Sequence, residues 1–193
     1  MHRMVTALFL TTFLAGCGAT GIVASDDPMT KLRQARYLYL EAGRPAQAEP
    51  LIHDAMAAFQ RSGDTAGQAE AHREFAMFLA TPGSDAIIVN TAAEQPPVPP
   101  ERLAKALAEM REASRLAESA GRYDILAGTS LGEARIRYRM GDIPAACATL
   151  HRSLDASEKF SAAPAEMRAK APPGWDGTGR FVTAFRAEFG CPP

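Results

Sequence analysis

Residues 101–160 decide the fold, and they read ERLAKALAEMREASRLAESAGRYDILAGTSLGEARIRYRMGDIPAACATLHRSLDASEKF. Small and apolar residues recur in this stretch every three or four positions, which is the spacing of one face of an α-helix. Gly121 and the pair at 141–142 interrupt the pattern, and residues of these types end helices. The stretch therefore predicts three consecutive helices whose short connections make neighbours antiparallel.

The same pattern continues toward the N-terminus. A helix is predicted from Pro28 to Gly43, a second from Pro45 to the turn at 62–64, and a third that stops before Pro82. Proline fits the first turn of a helix, where its missing N–H needs no partner, and glycine is common just after a helix end. The sequence therefore predicts six helices, arranged as antiparallel pairs.

The composition agrees with an all-α domain. The chain has 193 residues, of which 38 are alanine and only 12 are valine or isoleucine. Alanine is the strongest helix former, whereas β-branched residues are enriched in strands. The length fits one domain. The formal net charge of −1 argues against a nucleic-acid partner, because such a chain has no bulk attraction for phosphates.

The first residues have the pattern of a secretory signal. A short basic start at 1–3 precedes a run of apolar residues and threonine at 4–14, which is too short to span a bilayer. The run ends in the tetrapeptide LAGC at 14–17. This segment resembles the lipobox of bacterial lipoproteins.

The lipobox resemblance implies an anchor. Residues 1–16 would be removed as a signal peptide, Cys17 would carry the lipid, and residues 17–27 would form a tether. Three acyl chains make release from a membrane negligible. Gly18 follows the cysteine where an inner-membrane signal would have aspartate, so the sorting rule of that family implies the periplasmic side of the outer membrane in a Gram-negative bacterium.

The predicted helix pairs also resemble one another. Small and apolar residues stand at offsets of 5, 9 and 12 after two glycines, namely Gly43, Ala48, Ile52 and Ala55, and Gly141, Ala146, Leu150 and Ser153. These positions resemble the tetratricopeptide repeat (TPR), a helix-turn-helix unit of about 34 residues. The resemblance implies that residues 28–160 form three antiparallel pairs, stacked as a short right-handed solenoid.

The TPR resemblance also implies a binding surface. In that family, the first helix of each pair lines a concave groove that takes extended or helical peptides. By this resemblance, the lining of a partner-binding groove would include Arg33, Tyr37, Arg73 and Arg139. Plain solvated positions are the alternative explanation for each of the four.

Residues 81–100 interrupt the second pair and read TPGSDAIIVNTAAEQPPVPP. Four of the last five are proline, which favours an extended polyproline spacer. We interpret the segment as a loop inserted between the two helices of one pair, with a docking motif as the alternative. Its apolar part at 87–89 is expected to pack on a neighbouring helix.

Residues 161–193 form a C-terminal extension with a last amphipathic helix at 180–189. Four apolar residues define one face of this helix: Phe181, Val182, Phe185 and Phe189. A repeat stack needs a terminal helix over its last exposed face, so we expect this helix to cap the solenoid. A partner-binding or membrane-surface helix is the alternative, although the polar face is not strongly basic.

Two cysteines remain once Cys17 carries lipid. Cys147 falls on the inward face of the sixth predicted helix, and Cys191 directly follows the capping helix. An even pair in an oxidising compartment favours a disulfide. We therefore predict a bridge between them, with two unrelated thiols as the alternative.

Motifs for catalysis or cofactor binding are absent from the sequence. His53, His72 and His151 lie in three different predicted helices without the spacing of a zinc site. No nucleotide-binding glycine pattern or hydrolase serine motif occurs. Glu70 and Glu74 share a helix face, where a solvated surface explains them better than an acid/base pair. The sequence therefore predicts no metal, no cofactor and no enzymatic activity.

The interpretation that best fits these features is a membrane-anchored periplasmic protein–protein interaction module, such as an envelope assembly or scaffold factor. Its partner would be a periplasmic or outer-membrane protein. A cell-wall-processing enzyme or accessory factor is one alternative, because such hydrolases can hide their carboxylates from a motif search. A purely structural envelope lipoprotein is the other.

Overall fold

The computed structural model describes residues 25–82 and 97–192. This part of the chain contains eight helices and no strand: α1 (Pro28–Leu40), α2 (Pro45–Ser62), α3 (Thr65–Ala80), α4 (Pro100–Ser119), α5 (Tyr123–Arg139), α6 (Ile143–Ser161), α7 (Ala165–Arg168) and α8 (Gly179–Phe189). The all-α prediction is confirmed. The predicted signal peptide, the lipid site at Cys17 and the apolar segment 87–89 lie outside the described residues.

Local sequence explains where several helices begin. Asp27, Asp64 and Asp142 precede α1, α3 and α6, and each side chain accepts a hydrogen bond from a backbone N–H of the first helical turn, at 2.8, 2.9 and 3.2 Å respectively. These bonds satisfy N–H groups that have no partner within the helix. At the other end of α2, Gly63 adopts a left-handed conformation with φ of 69° and closes the helix.

The helices pack as three consecutive pairs, α1 with α2, α3 with α4, and α5 with α6. Each second helix also packs on the first helix of the next pair, and α3 contacts both α1 and α5. Alanines at these crossings are fully buried, which lets the helix backbones approach closely. The predicted helix pairs are therefore present. None of the described helices is long and apolar enough to cross a membrane.

The C-terminal helix packs along α6 and also touches the end of α5. Val182 and Phe189 of α8 are buried, and the Phe189 ring stacks on Tyr138 with centroids 4.1 Å apart. The predicted disulfide between Cys147 and Cys191 is present, with Cα atoms 5.7 Å apart. It ties the end of α8 to α6.

One residue of the predicted capping face is placed differently. Phe181 is 43% exposed, whereas the adjacent Val182 is 1% exposed. Consecutive residues on a helix point about 100° apart. With Val182 directed at the core, Phe181 falls on the outer side of α8, so its predicted role in the cap is wrong.

The segment before α8 is held against α6 by polar and aromatic contacts. Thr178 is buried, and its hydroxyl lies 2.8 Å from those of both Ser153 and Ser157. The Trp175 ring meets Phe160 edge-on, with centroids 4.4 Å apart. These contacts position the start of α8.

Candidate functional site

The two predicted groove residues on α1 both reach solvent. Arg33 is exposed and donates a hydrogen bond to the Thr30 hydroxyl at 2.7 Å, with the Asp27 carboxylate 3.6 Å away. Tyr37, one turn further on, is 50% exposed. These side chains are available to a partner on the α1 surface.

The other two predicted groove residues lie between α3 and α5. Arg73 donates from Nε to Glu70 at 2.9 Å, and Arg139 donates to the Ala80 carbonyl at the end of α3. Burial, followed by the charge of Arg135, lowers the pKa of Arg139. Among the described residues, no hydrogen bond or ion pair links the α1 residues to either arginine. The four predicted residues therefore lie on three neighbouring helices without forming one cluster.

Glu74 does not lie on a solvated helix face, so that prediction is wrong. It is 2% exposed, and it accepts hydrogen bonds from the Tyr39 hydroxyl at 2.6 Å and from Arg36 Nε at 3.1 Å. The packing of α1 on α3 covers this carboxylate, and Arg36 supplies the compensating charge. Glu70 remains at the edge, paired with Arg73.

Burial also changes the acidity of the tyrosine in this cluster. Desolvation, together with the negative charge of Glu74, raises the pKa of Tyr39 well above its usual range. The phenol therefore stays protonated and donates to the carboxylate. Because these three groups satisfy one another across the helix contact, we interpret Arg36, Tyr39 and Glu74 as a structural link between α1 and α3.

A cleft of about 400 Å³ opens between α4 and α6, with α5 as its floor. This volume is within the range of small-ligand pockets. Each of the three helices contributes residues that share one helical face. They are Arg111, Ser114, Arg115 and Glu118 of α4; Leu126, Ser130, Glu133 and Arg137 of α5; and Arg152, Asp155, Ala156 and Lys159 of α6.

A buried carboxylate occupies the cleft floor. Glu133 is 1% exposed and accepts hydrogen bonds from Arg137 Nε at 3.0 Å and from Arg152 Nη2 at 2.6 Å. Arg111 Nε is 3.8 Å away. Arg137 is shared with Asp142, which lies 3.5 Å from its Nη1. Three guanidinium groups thus converge on one buried carboxylate, which leaves local positive charge.

The cleft has two different ends. Helices α4 and α6 run in the same direction, because α5 reverses the chain between them. Arg111 and Arg152 therefore stand at one end, and Glu118 and Lys159 at the other. Ser130 lies between the ends; it is 1% exposed, and its hydroxyl makes no hydrogen bond with any described residue.

The cleft lies on the opposite side of α5 from the predicted groove residues. A helix turns by about 100° per residue, so Ser130, Glu133 and Arg137 share one side. Gly128 and Arg139 share the other side, where they meet Arg73 and the end of α3. The molecule therefore has two separate polar surfaces around α5.

Sequence reasoning missed the cleft. The spacing of Glu133 and Arg137 by four residues is visible in the sequence, but such pairs are common on exposed helix surfaces. Arg111 and Arg152 are 22 and 19 residues away from Glu133 in the sequence. They reach it only because the three helices pack together. No local sequence pattern predicts that these arginines contact Glu133.

The histidines make isolated contacts. His72 lies 2.7 Å from Glu109 and links α3 to α4, while His53 and His151 are exposed. Within residues 25–82 and 97–192, no group of three histidine, cysteine or acidic side chains is placed to hold a metal ion.

Comparisons with known proteins give no further guidance. No protein family, no curated protein and no solved structure matches this chain. Its function is therefore inferred from its own residues and contacts.

Proposed function

We propose that this chain is a membrane-anchored periplasmic protein–protein interaction module whose helix pairs form a short, right-handed, TPR-like solenoid. The observation that carries the proposal is the packing of α1, α3 and α5 side by side, because first helices line the groove in TPR proteins. On α1, Tyr37 and Leu40 are both about half exposed, at 50% and 54%. An exposed aromatic and an aliphatic side chain on this surface suit the capture of a peptide.

The anchor in this proposal is the lipid on Cys17. The tetrapeptide at 14–17 resembles a lipobox, and Gly18 favours the periplasmic side of the outer membrane. Residues 17–27 would then tether the helical domain to the membrane. The partner would be a periplasmic or outer-membrane protein, and the role that of an envelope assembly or scaffold factor without a cofactor.

Labelling in cells tests the anchor. Cys17→Ala is expected to abolish incorporation of labelled palmitate, because the lipobox then has no thiol to form the thioether with the lipid. The double variant Cys147→Ala with Cys191→Ala is the matched control and is expected to keep the label. Continued labelling of Cys17→Ala would exclude the lipoprotein proposal.

Site-directed photo-crosslinking tests the interaction surface. A photoreactive amino acid at Tyr37 of α1 is expected to capture a periplasmic or outer-membrane protein, and one at the exposed Gln60 of α2 is not. The captured protein, once purified, should bind the wild-type chain and bind Tyr37→Ala more weakly. Equal capture at both positions would contradict the proposal, and peptidoglycan turnover by the purified chain would support the enzyme alternative.

A further inference from the structure

We propose that the cleft between α4 and α6 binds a short peptide segment that presents an aspartate or glutamate side chain. The first support is that two arginines at one end of the cleft have N–H donors available for a ligand. Arg111 reaches Glu133 only at 3.8 Å, and its side chain is 58% exposed. Arg152 bonds to Glu133 through Nη2, and its side chain is 57% exposed. An arginine has five N–H donors, so both can bind a second carboxylate.

The second support is the Ser130 hydroxyl. It lines the cleft one helical turn before Glu133 and is 1% exposed, yet it has no hydrogen-bond partner among the described residues. No fully buried side-chain nitrogen or oxygen of the described residues lacks a partner, so this hydroxyl is open to the solvent of the cleft and free to bond a ligand there. A carboxylate held by Arg111 and Arg152 would give this hydroxyl an acceptor.

The charge distribution selects the kind of ligand. At the far end, Glu118 forms no ion pair within the described residues, and neither does Asp155 on the α6 wall. Lys159 stands beside Glu118, so the far end has no net positive charge to attract a ligand that is negative along its whole length, such as a polyphosphate or a nucleic acid. A ligand with one carboxylate toward the arginines fits better.

The size of the cleft fits a few residues of peptide. Its walls run from 111 to 118 and from 152 to 159, and seven residues of helix span about 10 Å. An extended chain covers that distance in about three residues. The half-buried Leu126 offers apolar surface for the neighbouring backbone and side chains. This inference does not depend on the proposed use of the α1 surface.

Nuclear magnetic resonance of the purified, ¹⁵N-labelled full chain tests the proposal. The probes are two blocked tetrapeptides that differ only in an acid and its amide, acetyl-Ala-Glu-Leu-Ala-amide and acetyl-Ala-Gln-Leu-Ala-amide. The acidic peptide is expected to shift the Nε–Hε signals of Arg111 and Arg152 and the amide of Ser130. The amide peptide should bind at least about fivefold more weakly, because it lacks the charge-assisted hydrogen bonds.

Variants assign the binding to the cleft. Arg111→Gln is expected to weaken binding of the acidic peptide about fivefold or more, and it leaves the closer partners of Glu133 in place. Ser130→Ala provides a second variant that removes only the hydroxyl, and it should also weaken binding. Arg33→Gln on α1 is the matched control, an exposed arginine outside the cleft, and should leave binding unchanged.

Three results would overturn the proposal. One is the absence of signal changes at the cleft with either peptide. Another is equal binding of the acid and the amide, which would mean that the cleft does not recognise a carboxylate. The third is tighter binding of inorganic phosphate than of the acidic peptide at the same residues, which would assign the cleft to a phosphate-bearing ligand.

Discussion

At the scale of single residues, Glu74 shows how this small domain accommodates a buried charge. Its carboxylate accepts hydrogen bonds from Tyr39 and Arg36 of the neighbouring helix. A buried carboxylate without such partners would be strongly destabilising. The two donors therefore make the contact between α1 and α3 specific, because sliding one helix along the other would leave the Glu74 carboxylate buried without hydrogen bonds.

Removal of the Tyr39 hydroxyl tests this account. Tyr39→Phe is expected to lower the free energy of unfolding by about 1–3 kcal/mol, because the buried Glu74 loses a donor at 2.6 Å. Tyr37→Phe is the matched control, because Tyr37 lies two residues away on the same helix and is half exposed. This variant should change the free energy of unfolding little. Urea unfolding at neutral pH measures both, and equal effects would contradict the account.

The same hydroxyl predicts an alkaline dependence of stability. Burial and the charge of Glu74 raise the pKa of Tyr39 above its ordinary value of 10.0, so folding favours the protonated phenol. The resulting stabilisation is fully present below pH 10 and is lost as the pH rises toward the folded-state pKa. Urea unfolding followed above pH 10 should show a smaller alkaline loss in Tyr39→Phe than in wild type. Tyr37→Phe should keep the wild-type profile.

At the scale of elements, the crossing of α2 and α3 depends on a glycine. Gly67 lies in the first turn of α3, directly against the ring of Phe59, which is 4% exposed. A β-carbon built at Gly67 overlaps that ring. Glycine has a low helix propensity, but at this position it lets the two helices approach closely.

Alanine substitution separates packing from helix propensity. Gly67→Ala is expected to destabilise the protein by about 1–3 kcal/mol, because the buried Phe59 ring must move. Gly128→Ala is the control: its β-carbon would lie 3.4 Å from Arg73 Nη1, an ordinary contact, so it should gain up to about 1 kcal/mol from helix propensity. Thermal and urea unfolding compare the two, and stabilisation by Gly67→Ala would show that the crossing relaxes freely.

At the scale of the whole molecule, the last helix is held by a small contact area and a covalent bond. The buried residues of α8 are Val182 and Phe189, and the Cys147–Cys191 bridge spans 44 residues. A terminal element with few buried contacts opens more readily than the rest of a helical stack. The bridge limits how far α8 can separate from α6.

Reduction of the bridge is expected to release α8 first. By the chain-entropy relation, a loop of this length contributes about 4 kcal/mol of stabilisation before any strain. Reductant should lower the melting temperature and speed hydrogen exchange in α8 more than in α3. The double variant Cys147→Ala with Cys191→Ala should show the weakened state without responding to reductant. Unchanged exchange in α8 after complete reduction would mean that packing alone holds the cap.

The sequence by itself determined where the helices of this protein lie and which neighbours pair. Apolar spacing, the capping aspartates and the glycine and proline breaks act within a few residues, so they are readable from the chain and predict the helices and their pairing. The even number of cysteines left after Cys17 likewise predicted the bridge. The capping role of α8 followed from one apolar face, although Phe181 was misplaced because the exact rotation of a helix depends on its neighbours.

Only the tertiary structure decided which charges are buried and which meet. Glu74 and Glu70 are the same residue type one turn apart, but α1 covers only Glu74. Arg111 and Arg152 are ordinary helix-surface residues in the sequence, and they converge on Glu133 because three helices bring distant segments together. The physical reason is the range of the forces: helix formation is set by neighbours along the chain, whereas burial of a charge is set by whatever packs on top of it.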